Sequence, residues 1–428
     1  MKIAFFSDSF RDNTGGLTKA VTGLHDVLIS QGHQVTVFTL PQKSKPLHRG
    51  NVIFVPALPL PALAGIPPDS YFSYGYGEAL RTLQNIKPDI VHVHTMYSVS
   101  WIGLLAAAKL KIPAIATYHA NVKIALSLLT QKLPGPPAGA TSSNLTERAI
   151  SVLARSFYNR FAAVIAPSEF AAGSLRSFGV VTPIHVIPSG IDARLFSPDP
   201  VAACPGRHTS LSVNPCVPGS LAGDPAESGE LGSVCNVLYA GRLSAEKGVE
   251  TLVRVIKTLE EERGASTRLG FTATPARLGA TLRFTIAGDG PLMRRVENDL
   301  RHLVERGKVE FRGFVPWDLM PGEYRRAQIF FLPSAAETQG LAALEAMACR
   351  LPVVAVKGGA VPEFVEDGNS GFLFDPGNIE GMCGAIRNLE ARPQMRRVIG
   401  ERARRAALKF DWGQLVGKFT GLYAQYLR

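Results

Sequence analysis

The sequence predicts an α/β protein built as two doubly wound domains in tandem, and three observations carry that expectation. The chain has 428 residues, more than one hydrophobic core ordinarily organises. Short β-rich runs alternate with amphipathic helical patterns along almost its whole length, the signature of parallel sheets covered by helices. Between two such series lies Ser197 to Val234, rich in Pro, Gly, Ser and Ala and poor in large apolar side chains. It cannot bury enough surface to form a core and is expected to be a flexible insertion.

The first series opens with the strand Lys2–Phe6, a short apolar run closed by Asp8, followed by a helical pattern over Leu17–Gln31. Strands follow at Gln34–Leu40 and Asn51–Pro56, each a β-branched and aromatic run, and Tyr71–Ile86 reads as one helix. Then come strand Asp89–His94, helix Ser98–Leu110, strand Ala114–His119, helix Thr146–Phe161 and strand Val164–Pro167. The second series has strands at Asn236–Ala240, Leu282–Ala287, Val309–Gly313, Ile329–Pro333, Pro352–Val356 and Gly371–Phe374, with helical patterns between them. Arg263–Ala280 reads as a second surface insertion. Trp412–Arg428 places Leu415, Phe419, Leu422, Tyr423 and Tyr426 at helical spacing, a terminal helix docked on the nearest core.

Composition narrows the class. Hydrophobic residues make up 46% and charged residues 19%, a globular balance. The most apolar stretch, Trp101–Ala116, is cut by Lys109, Lys111 and Pro113, short of the roughly 20 uninterrupted residues of a spanning helix. The N-terminus opens on a strand without a signal-peptide pattern. Five cysteines, an odd number, suit a reducing cytosol better than a disulfide framework. Cys204, Cys216 and Cys235, spaced by 12 and 19, fit no paired-ligand zinc pattern. The formal charge of +11 is concentrated in residues 1–190, where 16 basic residues face 8 acidic ones. Such a domain either meets an anionic partner (a membrane surface, an acidic acceptor or nucleic acid) or is simply a basic soluble domain.

The chemistry-bearing residues cluster at strand exits. Gly15 and Gly16 follow the first strand and precede a helix, where backbone amides and the helix dipole favour phosphate. The turn lacks the Gly-x-Gly-x-x-Gly dinucleotide fingerprint, and any tight turn uses such glycines. Gly241-Arg242-Leu-Ser-Ala-Glu-Lys247-Gly248 puts two cations at another strand exit, the edge on which open α/β sheets bind ligands. Gly288-Asp289-Gly290-Pro291 lies at the next exit, with Pro291 suited to a first helical position. In Glu337-Thr-Gln-Gly340-Leu341-Ala-Ala-Leu-Glu345, Gly340 and Leu341 offer helix N-terminal amides to a diphosphate. Glu345 sits in an apolar run and needs a partner: a vicinal diol, or cationic Arg242 and Lys247 in a structural ion pair.

Taken together these motifs resemble family 4 of the retaining glycosyltransferases with the GT-B architecture. Glu337 and Glu345 enclose seven residues as in that class's Glu-x7-Glu motif, and Ile187-Pro-Ser-Gly190-Ile-Asp192 resembles the segment where its chain passes between domains. The resemblance implies two Rossmann-like domains facing a cleft: an acceptor domain over 1–190, completed by the helix 412–428 crossing back, and a nucleotide-sugar domain over 191–411 containing the 197–234 insertion. It implies that Arg242 and Lys247 bind the donor diphosphate, Glu345 the ribose, Glu337 the sugar hydroxyls or anomeric region, and Gly15 and Gly16 the β-phosphate. The Gly288-Asp289-Gly290 turn lines the donor site, and the backbone around Gly313-Phe314-Val315 meets the base. His119, in Thr-Tyr-His119-Ala-Asn, matches the family histidine beside the transferred sugar, although a histidine at a strand end is more often structural. Same-face attack with retention is likewise implied, with no cofactor and no metal, in agreement with the lack of an Asp-x-Asp element.

The acceptor is read from less. Asn121–Leu133 combines an apolar face with Lys123 and Lys132, a pattern suited to an anionic membrane surface, and the apolar run Pro56–Pro68 adds to it. Thr-Tyr-His, Arg155-Ser-Phe-Tyr-Asn159 and Glu-Thr-Gln-Gly resemble bacterial diacylglycerol glucosyltransferases and their sulfolipid-forming relatives, which more often carry Thr at the positions of Ser189 and Ala120. That resemblance implies glucosyl transfer from UDP-glucose to a lipid at the cytoplasmic face of the membrane, by a peripherally bound enzyme without a nucleic-acid partner. Mannosyl transfer to phosphatidylinositol or a soluble sugar is a second reading, and a non-catalytic nucleotide-sugar-binding protein a third.

Overall fold

The computed structural model describes residues 1–10, 15–41, 51–60, 71–119, 142–199, 234–268 and 281–427. Lys123 and Lys132, with the whole Asn121–Leu133 segment, lie outside them, as do residues 200–233 of the first expected insertion and 269–280 of the second.

Two parallel sheets form the frame. The first is built from β1 (Lys2–Phe6), β2 (Gln34–Thr39), β3 (Asn51–Phe54), β6 (Ile90–Val93), β7 (Ala114–Thr117), β8 (Ala163–Ala166) and β9 (Ile184–Val186), in the order β3-β2-β1-β6-β7-β8-β9. A small antiparallel hairpin, β4 (Ala57–Pro59) with β5 (Tyr71–Ser73), stands beside it. The second sheet runs β12-β11-β10-β13-β14-β15, from β10 (Val234–Ala240), β11 (Thr281–Ala287), β12 (Val309–Gly313), β13 (Ile329–Leu332), β14 (Val353–Val356) and β15 (Gly371–Phe374).

The central strands are apolar on both faces because helices cover both. Successive side chains of a strand point to opposite sides, so Phe6 packs with Phe38, Val91 and Val93 under one helical layer. Its neighbour Phe5 packs with Val37, Ile90 and Ile115 under the other. The second sheet repeats the arrangement, with Val237 and Phe331 on one face and Leu238 and Phe330 on the other. In both sheets the strand order reverses next to the first strand, between β1 and β6 and between β10 and β13. Crevices at these reversals, on the carboxyl ends of the strands, are where such folds take ligands.

The structure corrects three local expectations. Tyr71–Ile86 is a strand followed by a helix from Tyr76 to Ile86. A side chain on Gly75 would lie 2.5 Å from Pro56 Cδ, so the chain closes tightly there and β5 pairs with β4 instead of continuing the helix. The helix from Val249 continues to Arg268, so the second insertion starts later than Arg263. The helix Glu169–Ser177 and strand β9 are additional elements, too short for periodicity to reveal.

The last helix, Trp412–Tyr426, crosses back to the first sheet, where Leu422 and Tyr423 join the face that includes Phe5 and Ile115. The two passages between the sheets are zipped together: Ile191 N donates to Phe410 O (2.8 Å), Trp412 N to Ile191 O (3.2 Å), and Ala193 N to Asp411 Oδ2 (3.1 Å). Trp412 then fills a slot that glycine makes possible, since a Cβ on Gly23 would lie 2.3 Å from its Nε1 and one on Gly190 2.4 Å from its Cδ2. Gly23→Ala tests this docking. Helix propensity alone favours alanine by about 1 kcal/mol, but overpacking costs about 1–3 kcal/mol. A net loss of stability in urea unfolding, with altered Trp412 fluorescence, is expected.

Candidate active site

Three strand exits of the second sheet are laced together by backbone. Leu243 N donates to Asp289 O (2.9 Å), Leu292 N to Leu243 O (3.0 Å) and Gly288 N to Gly313 O (2.7 Å). Gly288, at φ 146°, has no room for a side chain, as a Cβ would lie 1.9 Å from Gly241 O. Gly248 packs against a fourth exit, that of β13, where a Cβ would lie 2.2 Å from Pro333 O. Gly290 completes the same turn, its N–H donating to Asp289 Oδ1 at 2.6 Å while the rest of Asp289 faces solvent. The glycines here serve approach of backbone to backbone, which brings Arg242, Lys247 and the Glu337 loop to one edge.

Lys247 Nζ pairs with Glu337 Oε1 at 2.7 Å. Arg242 is exposed and has no ion-pair partner among the described residues. Gly340, in the left-handed conformation at φ 84°, turns the chain into the helix Leu341–Ala348. The amides of Leu341 and Ala342 lie in its first turn, where no intrahelical acceptor exists. Val315 is half-buried against the same helix layer. Glu345 is 2% exposed and is held by Tyr324 Oη (2.9 Å), Trp317 Nε1 (3.1 Å) and Lys19 Nζ (3.1 and 3.2 Å to its two oxygens). The structural ion pair of Glu345 is therefore made with Lys19 of the first domain, and not with Arg242 or Lys247.

The first domain faces this edge directly. Gly15 and Gly16 begin the helix Gly15–Ser30, and a Cβ on Gly16 would lie 3.7 Å from Leu341 Cδ1. Gln339 and Ser189 exchange two hydrogen bonds, Ser189 N to Gln339 Oε1 (3.0 Å) and Gln339 Nε2 to Ser189 O (2.6 Å). Ser168 Oγ donates to Thr338 O (2.6 Å), and Thr338 Oγ1 donates to His119 O (3.1 Å). Glu363 accepts from Glu169 N (2.9 Å) and Phe170 N (2.8 Å), capping a helix of the opposite domain. Behind the loop, Ala360 N holds Glu337 O at 2.8 Å.

His119 lies two residues past the end of β7, with His94 of the β6 exit beside it, Nε2 to Nδ1 at 3.4 Å. Burial pushes the His119 imidazole down to about 4 and holds His92 and His94 well below the ordinary histidine range, so all three are neutral at pH 7. His92 is bonded at both nitrogens, Nδ1 to Tyr423 Oη (2.8 Å) and Nε2 to Thr117 Oγ1 (2.6 Å). At the mouth, Asp8 accepts from Thr95 Oγ1 (2.7 Å), Val99 N (2.9 Å) and Ser98 Oγ (3.2 Å). Its carboxyl is raised by burial against these hydrogen bonds.

Gly15, Gly16, His119, Arg242, Lys247, Gly288, Asp289, Gly290, Val315, Glu337, Gly340, Leu341 and Glu345 thus gather where the strand exits of the second sheet meet the first domain. Sequence reasoning missed Lys19, His94, Asp8, Trp317 and the Thr338–Gln339 clasp. Lys19 carried a usable signal, one helical turn beyond Gly16 on the helix that meets the cleft. Trp317 and Tyr324 carried none, since their approach to Glu345 is set by tertiary packing.

Family models match both halves of the chain: "Glycosyltransferase Family 4" over residues 14–195 and "Glycosyl transferases group 1" over residues 229–406. The alpha-monoglucosyldiacylglycerol synthase of Streptococcus pneumoniae is 26% identical over 87% of this chain and 75% of its own length. Sulfoquinovosyl transferase SQD2 of Arabidopsis thaliana is 28% identical over 78% of this chain and 56% of its own. The D-inositol 3-phosphate glycosyltransferase of Acidothermus cellulolyticus is 26% identical over 97% and 86%. Among solved structures, Anabaena HepE in complex with UDP-glucose superposes at a TM-score of 0.69 with 19% identity, covering 99% of this chain and 100% of that one. That likeness establishes the shared fold.

The buried histidines fix a pH dependence. Their folded pKa values are depressed, so in the unfolded chain they take up protons below about 6.5 that the folded protein refuses until about pH 4 for His119. Stability is therefore retained above pH 6.5 and lost as pH falls toward 4. Asp8, with a raised pKa, acts in the opposite sense, one group against three. The urea midpoint is expected to fall between pH 7 and pH 5.

Proposed function

The chain belongs to glycosyltransferase family 4, and we propose that it transfers a hexose, glucose, with retention from a UDP-linked donor to a membrane lipid such as diacylglycerol. The observation that carries this reading is the cleft. Free helix N-terminal amides, two cations and two carboxylates stand on one side, and His119 is tied to the same loop through Thr338 on the other. A diphosphate fits the amides of Leu341 and Ala342, with Arg242 and Lys247 supplying the charge that stabilises it as a leaving group without a metal. Glu337 keeps Lys247 in place and presents its remaining oxygen to the sugar. Glu345 holds the ribose diol, and Gly16 stands close enough across the cleft to approach the phosphates. The bond from the anomeric carbon to phosphate oxygen breaks as the acceptor hydroxyl attacks the same face, and its proton passes to the departing phosphate. His119, neutral, positions a sugar hydroxyl.

A lipid acceptor is supported by the relatives named for diacylglycerol and sulfolipid chemistry and by the surface beside the cleft. Leu58 and Phe72 are cross-strand partners in the β4–β5 hairpin and are 62% and 57% exposed, with Tyr74 and Tyr97 each 60% exposed. The hairpin joins the site through Ser73 N to Ser98 Oγ (2.9 Å), and Ser98 in turn bonds Asp8. Exposed Leu, Phe and Tyr are interface-seeking side chains. The association proposed is peripheral and at the cytoplasmic face; no helix among the described residues is long and apolar enough to cross a membrane. Mannosyl transfer to an inositol-bearing acceptor is favoured by other relatives, an inositol-phosphate glycosyltransferase and a GDP-mannose-dependent mannosyltransferase.

A thermal-shift panel of UDP- and GDP-sugars in EDTA separates these readings. UDP-glucose at a hundredfold excess over its Kd stabilises by about 2.7 kcal/mol, whereas a shift with GDP-mannose alone selects the second. Lys247→Ala is expected to weaken UDP binding by about tenfold to a hundredfold, removing a charged contact of about 1.5–3 kcal/mol; unchanged affinity contradicts the donor assignment. Leu58→Asp with Phe72→Asp should abolish sedimentation with anionic vesicles while leaving UDP binding intact.

A further inference from the structure

His94 and His119 lie just beyond the carboxyl ends of the adjacent parallel strands β6 and β7. Residues two apart on a strand share a face, and His92 stands opposite Ile115 in the register, so His92 and His94 fall on the side of the sheet that carries Thr117 and leads to His119. His92, His94 and Thr117 are buried, with His92 against Tyr423 of the returning helix and the Phe5 ring edge-on to both His92 (5.4 Å) and His94 (4.5 Å). His92 has hydroxyls at both nitrogens. His94 does not: its Nδ1 faces His119 Nε2 at 3.4 Å, and its Nε2 is buried without a protein partner.

That asymmetry decides where the protons sit. A neutral imidazole carries one N–H and one lone pair. A buried N–H without an acceptor is rarer and costlier than an acceptor without a donor. The His94 proton therefore belongs on Nδ1, where His119 Nε2 accepts it. His119 must then carry its own proton on Nδ1, which makes no hydrogen bond among the described residues, on a side chain that is only half-buried.

We infer that His94 is a positioning residue that fixes His119 as the Nδ1–H tautomer, so that His119 presents a hydrogen-bond donor, not a base, to the cleft. The inference rests on the proposed placement of His119 beside the transferred sugar. A hydroxyl oxygen of that sugar is the acceptor this donor suits. The returning helix shares in the arrangement, because Tyr423 holds His92 against the row.

Long-range ¹H–¹⁵N spectra of the imidazoles test it without turnover, on the wild type, His94→Asn and His94→Leu. Asparagine places an N–H donor about where Nδ1 stands, and leucine removes it. His119 should be protonated at Nδ1 in the wild type and in His94→Asn, and should lose that preference in His94→Leu. With UDP-glucose, His94→Leu should lower kcat by about tenfold or more with KM for the donor unchanged, and His94→Asn should recover most of it. A wild-type His119 protonated at Nε2, or a His94→Leu spectrum identical to the wild type, overturns the inference. If His94→Leu fails to fold, the wild type and His94→Asn spectra decide alone. Normal kcat in His119→Ala would instead refute the placement of His119 and leave the tautomer assignment standing.

Discussion

The segment Glu337–Leu341 is gripped from both domains, and the rest of the cleft takes its geometry from that grip. Gln339 closes a reciprocal pair with the Ser189 backbone, and Thr338 bonds both Ser168 and the backbone of His119. Ser189 and Gln339 are buried, so each polar group lost from this clasp leaves a partner unsatisfied at about 1–3 kcal/mol. The loop cannot shift by an ångström without breaking several such bonds together. It is also the loop that ends in the free amides and carries Glu337, so the element that sets the domain spacing is the element that faces the ligand.

The charges around this loop are stored in pairs. Lys247 rests on Glu337 and Lys19 on Glu345, which keeps each nearly buried carboxylate from standing uncompensated, a condition that costs several kcal/mol. A nucleotide sugar brings hydroxyls and phosphates that can take over both halves of each pair. On the proposed reading the site is assembled in advance of its ligand, which would lower the reorganisation required when charge develops on a leaving phosphate. Behind His119 the same economy is reached with neutral groups, a row of imidazoles whose burial keeps them uncharged.

Much of this was legible in the chain. The two sheets follow from short, largely apolar strands, and the motifs after β1, β10 and β13 fall at the reversals of strand order, with the Gly288–Gly290 turn after β11 one strand away. The Lys247 loop and the Glu337–Glu345 stretch stood out as strand-exit motifs, while their individual donor roles and the crossing of the last helix came through the family resemblance. What escaped were short elements and tertiary partners. Tyr71–Ser73 pairs with the strand before it because Gly75 closes against Pro56, a contact invisible to periodicity. Lys19 lies 326 positions from Glu345, and no local pattern pairs residues at that distance. His94 looked like any strand-end histidine until its neighbours were placed.

The central claim is that the carboxylates of this loop hold a nucleotide sugar, and calorimetric titration of UDP into the wild type and Glu345→Gln addresses it most directly. Saturable binding in the wild type, weakened about tenfold or more in the variant by loss of a charged contact, is the predicted result. Equal affinity in the two proteins, or no binding to either, would contradict the account.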